Sequence, residues 1–177
     1  MTRAQLEHVI RAAADIADDD EIIIIGSQAI LGQFPTAPAD LLRSSEADVY
    51  PKNHPERADL IDGSIGELSP FHRTFGYYAQ GVAEETAVLP TGWKDRLIKV
   101  RNPNTRDATG WCLEVHDLLI SKAVAGPEKD REFLAGAAAG RLATRAVLLE
   151  RLAVTKVDDR IRDLVRARID VAFGGGA

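Results

Sequence analysis

The chain has 177 residues, 45% of them hydrophobic and 28% charged, which is typical of one folded domain. Its net charge of −5 argues against a protein that coats long nucleic acid, because Lys and Arg supply most of that affinity by neutralising phosphates. The run of four isoleucines at residues 22–25 is far too short to span a bilayer, so we expect no membrane partner.

The first third of the chain predicts a helix, a buried strand and a second, short helix. Residues 3–17 carry apolar side chains spaced like one face of a helix. Residues 21–25, with their consecutive isoleucines, predict a strand that is buried on both faces. Gly26-Ser27 then breaks the strand, and residues 28–33 predict a short helix that Ser27 caps.

The middle of the chain predicts one longer helix and several short strands. Residues 56–68 have helical apolar spacing, and Ser69-Pro70 begins a short helical turn. The polar residues 102–110 predict either a loose hairpin or a loop that faces a substrate. Strands are expected at residues 47–50, ended by Pro51, and at residues 77–82, 96–100 and 111–115.

From Asp117 onward the pattern is helical, with a stop-and-restart signal at Gly126-Pro127. The elements together predict an α+β (mixed α/β) fold, in which a small mixed sheet is flanked by helices and followed by a C-terminal helical block. We expect residues 1–135 to form the core and residues 136–177 to form a helical extension of the same domain. The later helices are expected at residues 129–139, 143–152 and 159–173, and residues 174–177 are expected to fray.

Cysteine content and the N-terminal pattern bear on the compartment. Cys112 is the only cysteine, which excludes an internal disulfide and fits a reducing environment. It lies in an apolar run between Trp111 and Leu113, which indicates a buried structural thiol rather than a nucleophile. The N-terminus shows no basic segment followed by an apolar stretch, so we expect a cytoplasmic protein.

The Gly26-Ser27 turn is the first candidate site. A buried strand that breaks at Gly-Ser and feeds a helix presents backbone N–H groups and a hydroxyl where the helix N-terminus is partially positive. Glycine also lets the backbone approach a phosphate closely. Turns of this kind are common and most bind nothing, so the motif alone does not decide the function.

The acidic pair Glu46-x-Asp48 is the second candidate. One residue separates the two acids in a predicted strand, so both side chains project from one face while Ala47 and Val49 face the core. Their Cα atoms are expected about 6–7 Å apart, a spacing that suits two carboxylates sharing a divalent metal. The alternative is an ordinary solvated strand edge.

Further charged residues follow the last predicted strand. Asp117 lies at a strand-to-helix junction, where an N-cap is its expected role. Lys122 has only donors, so it either neutralises a triphosphate or lies as an exposed helical lysine. Asp130 follows after a rise of about 12 Å on one helix, too far for direct contact. Gly126-Pro127 is placed to fold the second helix back beside the first.

In their order, these motifs resemble the nucleotidyltransferases of the type IV toxin–antitoxin (AbiEii-like) group and their single-domain, MenT-like relatives. The resemblance covers roughly residues 20–135 and is most specific between Cys112 and Phe133. It implies a nucleotidyltransferase-like small mixed sheet flanked by helices. The family pattern is a Gly-Ser turn, an acid-x-acid strand, a Lys-x-x-Ala helix and a basic-Asp motif, which correspond here to Gly26-Ser27, Glu46-x-Asp48, Lys122-x-x-Ala125 and Lys129-Asp130.

The resemblance implies an enzyme that moves an NMP from an NTP to an acceptor hydroxyl. Glu46 and Asp48 would hold Mg²⁺ or Mn²⁺, and Gly26 and Ser27 would anchor the β- and γ-phosphates. Lys122 would stabilise the leaving group, and Asp130 would position Lys122 or the nucleotide. The implied acceptor is an RNA, such as the 3′ end of a tRNA, or a protein hydroxyl, and the implied biology is a toxin with a cognate antitoxin.

Two departures from the family pattern leave alternatives open. The first metal acid is usually Asp but is Glu46 here, and Pro127 stands where family members often have Arg. Arg43, Lys94 and Arg106 are candidates for the missing positive charge. The departures favour, as an alternative, a catalytically weakened nucleotidyltransferase-like module that binds a nucleotide or a partner. A plain structural or interaction domain, in which the motifs are coincidental, is the other alternative.

Overall fold

The computed structural model describes residues 1–174, and in them a five-stranded mixed sheet lies against helices. The strand order is β3-β2-β1-β5-β4. Strand β1 is antiparallel to β2 and parallel to β5, β2 is parallel to β3, and β4 is antiparallel to β5. The expected α+β class with a small mixed sheet is confirmed. The strands are β1 (Glu21–Ile24), β2 (Glu46–Pro51), β3 (Tyr78–Gly81), β4 (Ile98–Val100) and β5 (Thr109–Cys112).

Helices provide the rest of the fold. Thr2 and Gln5 form a reciprocal capping box that starts the first helix, and Asp18 ends that helix in the left-handed region with φ 49°. The helices are α1 (Arg3–Ala17), α2 (Ile30–Gln33), α3 (Ala58–Ile65), α4 (Pro70–Phe75), α5 (Val115–Ala125), α6 (Glu128–Ala139), α7 (Arg145–Ala153) and α8 (Asp159–Phe173). None of the helices within residues 1–174 has the length and apolar character needed to cross a membrane.

One face of the sheet is sealed by the N-terminal helices. Ile22 and Ile24 are fully buried on it, and Gly110 leaves room there for the side chain of Ile10 from α1. On the same face, Gly32 of α2 lies against Cys112, because a Cβ on Gly32 would approach the Cys112 Cβ to 2.5 Å. One part of the hydrophobic core therefore lies between the sheet and α1 to α3. The opposite face also buries Ile23 and Tyr50, and it carries Glu46 and Asp48.

The C-terminal helices form a block in which α5 packs against α6, α7 and α8. Leu118, Leu119 and Ile120 of α5 are buried, as are Val165 and Ile169 of α8. This block borders the sheet face that carries Asp48, since Leu118 of α5 lines a cleft together with Ile25 and Asp48.

Several expected boundaries were wrong, each for a local reason. Ser27 does not cap a helix: it is the first residue of the 3-10 turn Ser27–Ala29, whose N-cap is Gly26 and which has no side-chain cap. Strand β2 is one residue longer at each end than expected, and it ends at Pro51, which is its last residue and is paired with Ile22. The strand expected at residues 111–115 is β5, which begins two residues earlier and ends three residues earlier, because Glu114 caps α5 by accepting a hydrogen bond from the backbone N–H of His116. Of the expected frayed tail, residues 175–177 lie outside the described part of the chain.

Candidate active site

The acidic pair on β2 has the alternation expected from its spacing. Ala47 and Val49 are fully buried in the core, while Glu46 and Asp48 project together from the opposite face. Asp48 lines a cleft of about 330 Å³ whose other charged lining residues are Lys122 and Asp130. Gly26 lines the same cleft. The fold thus brings together four of the expected site residues, from β2, the turn after β1, α5 and α6.

Gly26 makes room for the Asp48 carboxylate. A Cβ at this position would overlap the carboxyl oxygen Oδ2 of Asp48, and it would lie 2.6 Å from the carboxyl carbon. The Gly26 backbone, at φ −77°, is open to any residue, so the requirement for glycine is steric. Ser27 follows directly and starts the 3-10 turn, so its N–H is one of the groups at the turn's start without a partner inside the turn.

The Asp48 carboxyl group is held in an unusual electrostatic state. Burial, together with a hydrogen bond to Glu46 and its negative charge, raises the pKa of Asp48 to about 7, although Lys122 and Lys129 act in the opposite direction. Two carboxylates so close repel each other when both are ionised, and a divalent cation between them removes that repulsion. The pair is therefore suited to bind a cation.

The composition of the pair also indicates which cation it suits. Residues 1–174 contain no cluster of three or more His, Cys, Asp or Glu side chains that could hold a metal. Two carboxylates without further protein ligands match the way Mg²⁺ is bound, since Mg²⁺ keeps several waters and takes substrate phosphate oxygens. Glu46 and Asp48 are the residues that would hold it, and the pair fits a metal that is completed by its substrate.

Glu46 has a partner that the sequence did not reveal. The Tyr78 hydroxyl on β3 donates a hydrogen bond of 2.9 Å to Oε2 of Glu46. Burial and the neighbouring carboxylates raise the pKa of Tyr78 to about 12, so the hydroxyl stays protonated and remains a donor at neutral pH. Glu46 and Tyr78 are a register pair of β2 and β3, and only knowledge of that strand pairing would have identified Tyr78.

Lys122 and Asp130 are in direct contact. The Lys122 Nζ lies 2.7 Å from Oδ1 of Asp130, with the two side chains only 12% and 9% exposed. The Lys122 ammonium also lies 4.8 Å from the centre of the Phe133 ring. Lys122 is therefore not the exposed helical lysine of the simpler interpretation. The separation of about 12 Å expected for Lys122 and Asp130 on one helix does not apply, because the two residues lie on different helices. Gly126 ends α5 at φ 72°, and α6 begins after Pro127, its N-cap residue, in a new direction.

The turn between α5 and α6 is held from behind by α8. The Arg168 guanidinium donates a hydrogen bond of 2.6 Å to the Ala123 carbonyl near the end of α5. It packs so closely that a Cβ on Gly126 would overlap it. The last helix thus fixes the angle at which α6 leaves α5, and with it the position of Asp130 beside Lys122.

Other residues singled out in the sequence have different positions. Asp117 was expected to be an N-cap, and this was wrong: it is fully buried and accepts two hydrogen bonds, of 2.8 and 3.0 Å, from Arg96. Arg151 also lies 3.3 Å from it, so Asp117 joins α5 to α7 and to the segment that contains Arg96. Cys112 is buried, and burial raises the pKa of its thiol to about 12, which confirms an inert structural cysteine.

The three candidates for additional positive charge do not line the cleft. Lys94 forms an ion pair of 2.8 Å with Glu84, and Arg43 is exposed at the end of the 3-10 turn Ala39–Leu42. Arg106 is a left-handed residue, φ 48°, in the loop before β5. The extra cation near the acids is instead Lys129, an exposed residue in the first turn of α6 that lowers the pKa of Asp48 by its charge.

The sheet and its flanking helices have a nucleotidyltransferase-like α/β fold. Residues 4–169 match the family described as "Nucleotidyltransferase of unknown function (DUF6036)", and the chain belongs to that family. No curated protein and no solved structure matches the chain. The AbiEii-like or MenT-like subgroup stays a prediction from the sequence motifs.

Proposed function

We propose that this protein is a Mg²⁺- or Mn²⁺-dependent nucleotidyltransferase that moves an NMP from an NTP to an acceptor hydroxyl. The observation that carries the proposal is the cleft in which Asp48, next to Glu46 on the same face of β2, lies on one side and the Lys122–Asp130 pair on the other. A carboxylate pair and a buried lysine around one cleft are the groups needed to bind a metal–triphosphate and offset its charge. Membership of a nucleotidyltransferase family gives this geometry its most direct interpretation.

In this mechanism the acceptor oxygen forms a bond to the α-phosphorus, the bond between the α-phosphorus and the bridging oxygen breaks, and pyrophosphate leaves. The hydroxyl proton is released. Glu46 and Asp48 would hold a divalent cation, which would supply charge neutralisation on the transferred group and orient the acceptor. Lys122 balances the growing charge on the leaving pyrophosphate. Asp130 holds Lys122 in place through their 2.7 Å contact, and the amides at Gly26 and Ser27 bind phosphate oxygens.

The acceptor we propose is an RNA, such as the 3′ end of a tRNA. A second hollow, of about 680 Å³, is lined by Lys99, Arg101 and Asp107, with Arg101 3.4 Å from Asp107, so Lys99 supports a local basic surface despite the net charge of −5. A protein hydroxyl is the competing acceptor. The order of the motifs further supports a role as the toxin of a toxin–antitoxin pair, with a cognate antitoxin as partner.

One observation favours a second candidate, a catalytically weakened module that binds nucleotide without transferring it. The Tyr78 hydroxyl donates a hydrogen bond to Oε2 of Glu46, which leaves fewer oxygen lone pairs of that carboxylate for a cation. Binding of NTP and Mg²⁺ in equal amounts without release of pyrophosphate would distinguish this module from the enzyme.

The test is label transfer. The protein is incubated with Mg²⁺, each labelled NTP in turn, and either total tRNA or cell lysate. We expect transfer from at least one NTP, and we expect Asp48→Asn to reduce it by about three orders of magnitude because an amide neither carries the charge nor binds the cation as a carboxylate does. Asp59→Asn, at an exposed position on α3, is the matched control and should transfer normally. A folded Asp48→Asn protein with normal transfer would sink the proposal.

A further inference from the structure

The longer acid at position 46 is held by a neighbour in the sheet. Glu46 and Tyr78 are paired in the parallel register of β2 and β3, so their side chains stand next to each other on the same face. Tyr78 is only 9% exposed, and its hydroxyl donates to Oε2 of Glu46 at 2.9 Å. This hydrogen bond connects a fixed aromatic ring to the carboxylate of Glu46, which lies next to Asp48 on the same face of β2.

The backbone of Glu46 is fixed independently of its side chain. Its N–H donates to Ser44 Oγ at 3.1 Å, and the Tyr78 N–H donates to the Ser45 carbonyl at 3.0 Å. Beyond Cα, a glutamate has three rotatable bonds where an aspartate has two. With the backbone held, the Tyr78 hydroxyl is the contact that selects among the side-chain rotamers of Glu46.

Tyr78 is itself supported by α4. The His72 ring packs on the Tyr78 ring, with centroids 4.5 Å apart and planes inclined at 42°. His72 Nδ1 accepts a hydrogen bond of 3.1 Å from the backbone N–H of Leu68. The backbone N–H of His72 donates to Ser69 Oγ at 3.1 Å. These contacts orient the imidazole, and the imidazole in turn limits the movement of the Tyr78 ring.

We propose that Tyr78 is a positioning residue: it holds the Glu46 carboxylate beside Asp48, so that both reach one divalent cation. This inference rests on the metal site of the proposed function. It also accounts for glutamate at position 46, because the Tyr78 hydroxyl meets Oε2 of the longer side chain at 2.9 Å and leaves Oε1 for the cation. A carboxylate that binds a metal is commonly held by such an outer hydrogen bond.

The test measures cation binding to the full chain without nucleotide, so that it does not depend on turnover. Mn²⁺ affinity is determined by calorimetry or by electron paramagnetic resonance for wild type and for Tyr78→Phe, which removes only the hydroxyl. We expect the Kd for Mn²⁺ to rise about 10–100-fold. The matched control is Tyr77→Phe, whose lost hydroxyl contacts His8 Nδ1 at 2.7 Å and not the acids, and which should bind Mn²⁺ like wild type.

A double substitution separates positioning from packing. In a Glu46→Asp background the shorter carboxylate does not reach the Tyr78 hydroxyl, so we expect Tyr78→Phe to change the Mn²⁺ Kd by less than about twofold there. Thermal unfolding of each variant confirms that it is folded.

The outcomes are distinct. Equal Mn²⁺ affinity of wild type and Tyr78→Phe overturns the role of Tyr78 while leaving the proposed metal site intact. The same loss of affinity in the wild-type and the Glu46→Asp backgrounds also overturns it, since the hydroxyl would then act through packing. A wild-type protein that binds no Mn²⁺, with or without added NTP, overturns the metal site and this inference together.

Discussion

The two sides of the cleft are built in opposite ways. The acidic side comes from a single strand, where Glu46 and Asp48 lie two residues apart and the strand itself places them on one face. The cationic side comes from two helices, and its contact between Lys122 and Asp130 spans eight residues and a change of direction at Gly126. The first arrangement needs only a strand, whereas the second needs the whole C-terminal block.

The two sides also differ in charge balance. Lys122 has Asp130 as its partner at 2.7 Å, so the cationic side is largely neutral by itself. The acidic side is not balanced in this way. Burial of Asp48, together with the neighbouring Glu46, raises the pKa of Asp48 to about 7. The cleft therefore lacks a positive charge that would balance the acids on β2.

After Asp48→Asn, the largest effect on the acidic side is expected from Gly26→Ala. The new Cβ would overlap the Asp48 carboxylate and force that side chain away from the cleft. We expect nucleotidyl transfer to fall by at least about a hundredfold, since displacing a reacting group by about 1 Å has a cost of this size. Initial rates of label transfer measure the effect.

The control for Gly26→Ala is Gly63→Ala in α3, where a Cβ meets nothing within 4 Å. We expect this variant to transfer normally and to gain about 0.5–1 kcal/mol of stability, because alanine favours the helix. Normal transfer by Gly26→Ala would show that Asp48 is not needed in its present position.

On the cationic side we expect Lys122→Met to reduce transfer by about 10–100-fold, because it removes the positive charge that offsets the negative charge of the leaving pyrophosphate. Asp130→Asn should reduce transfer less, by about tenfold, since Lys122 keeps its charge and loses only its ionic partner. The rates of both variants, measured at saturating NTP and Mg²⁺, test this order. A larger loss in Asp130→Asn would indicate that Asp130 acts on the substrate directly.

The tertiary origin of the cationic side is tested by Gly126→Ala. Alanine at φ 72° is strained, and its Cβ would overlap the Arg168 guanidinium. We expect the free energy of unfolding to fall by about 1–3 kcal/mol. Chemical denaturation gives the value. Gly76→Ala, also at a left-handed glycine but with nothing within 4 Å of its Cβ, is the control and should lose less.

The smallest expected effect is a pH dependence of stability that arises on the acidic side. The folded protein keeps a proton on Asp48 up to about pH 7, whereas an unfolded aspartate releases it near pH 4. Unfolding therefore releases this proton, and its contribution to stability is lost as pH rises through that window. In metal-free buffer we expect Asp48→Asn to gain about 1–3 kcal/mol relative to wild type between pH 5 and pH 8.

Urea denaturation at the two pH values measures this difference, and Asp59→Asn serves as the control that should not show it. Addition of Mg²⁺ should remove most of the gain, because a bound cation stabilises the ionised pair. The same relative stability of Asp48→Asn at pH 5 and pH 8 would contradict the raised pKa of Asp48 in the folded protein.

Much of the acidic side was readable from local patterns. Four consecutive isoleucines predicted β1, and Ala47 and Val49 between the acids predicted which face of β2 is buried. The alternation of side chains between the two faces depends only on the extended backbone, so it can be predicted without knowledge of the rest of the fold. The order of the motifs then predicted a nucleotidyltransferase, and family membership confirmed that class.

The tertiary structure decided the contacts that join distant segments. The sequence predicted Asp117 as an N-cap, yet it is a buried partner of Arg96. The two roles cannot be distinguished in the sequence, because an aspartate near a helix start serves either as a cap or as an ion-pair partner. Tyr78 became a neighbour of Glu46 only through the register of β2 and β3. Lys122 and Asp130 met because Arg168 from α8 holds the turn at Gly126.

By itself, then, the sequence determined that Glu46 and Asp48 share one face of β2, because strand geometry is a local property of the backbone. The tertiary fold decided that a glycine, a lysine and an aspartate from three other segments meet Asp48 in one cleft. Contacts of this kind depend on strand register, helix crossing and the closing of loops, which are set by packing over the whole chain and leave no mark in residue spacing.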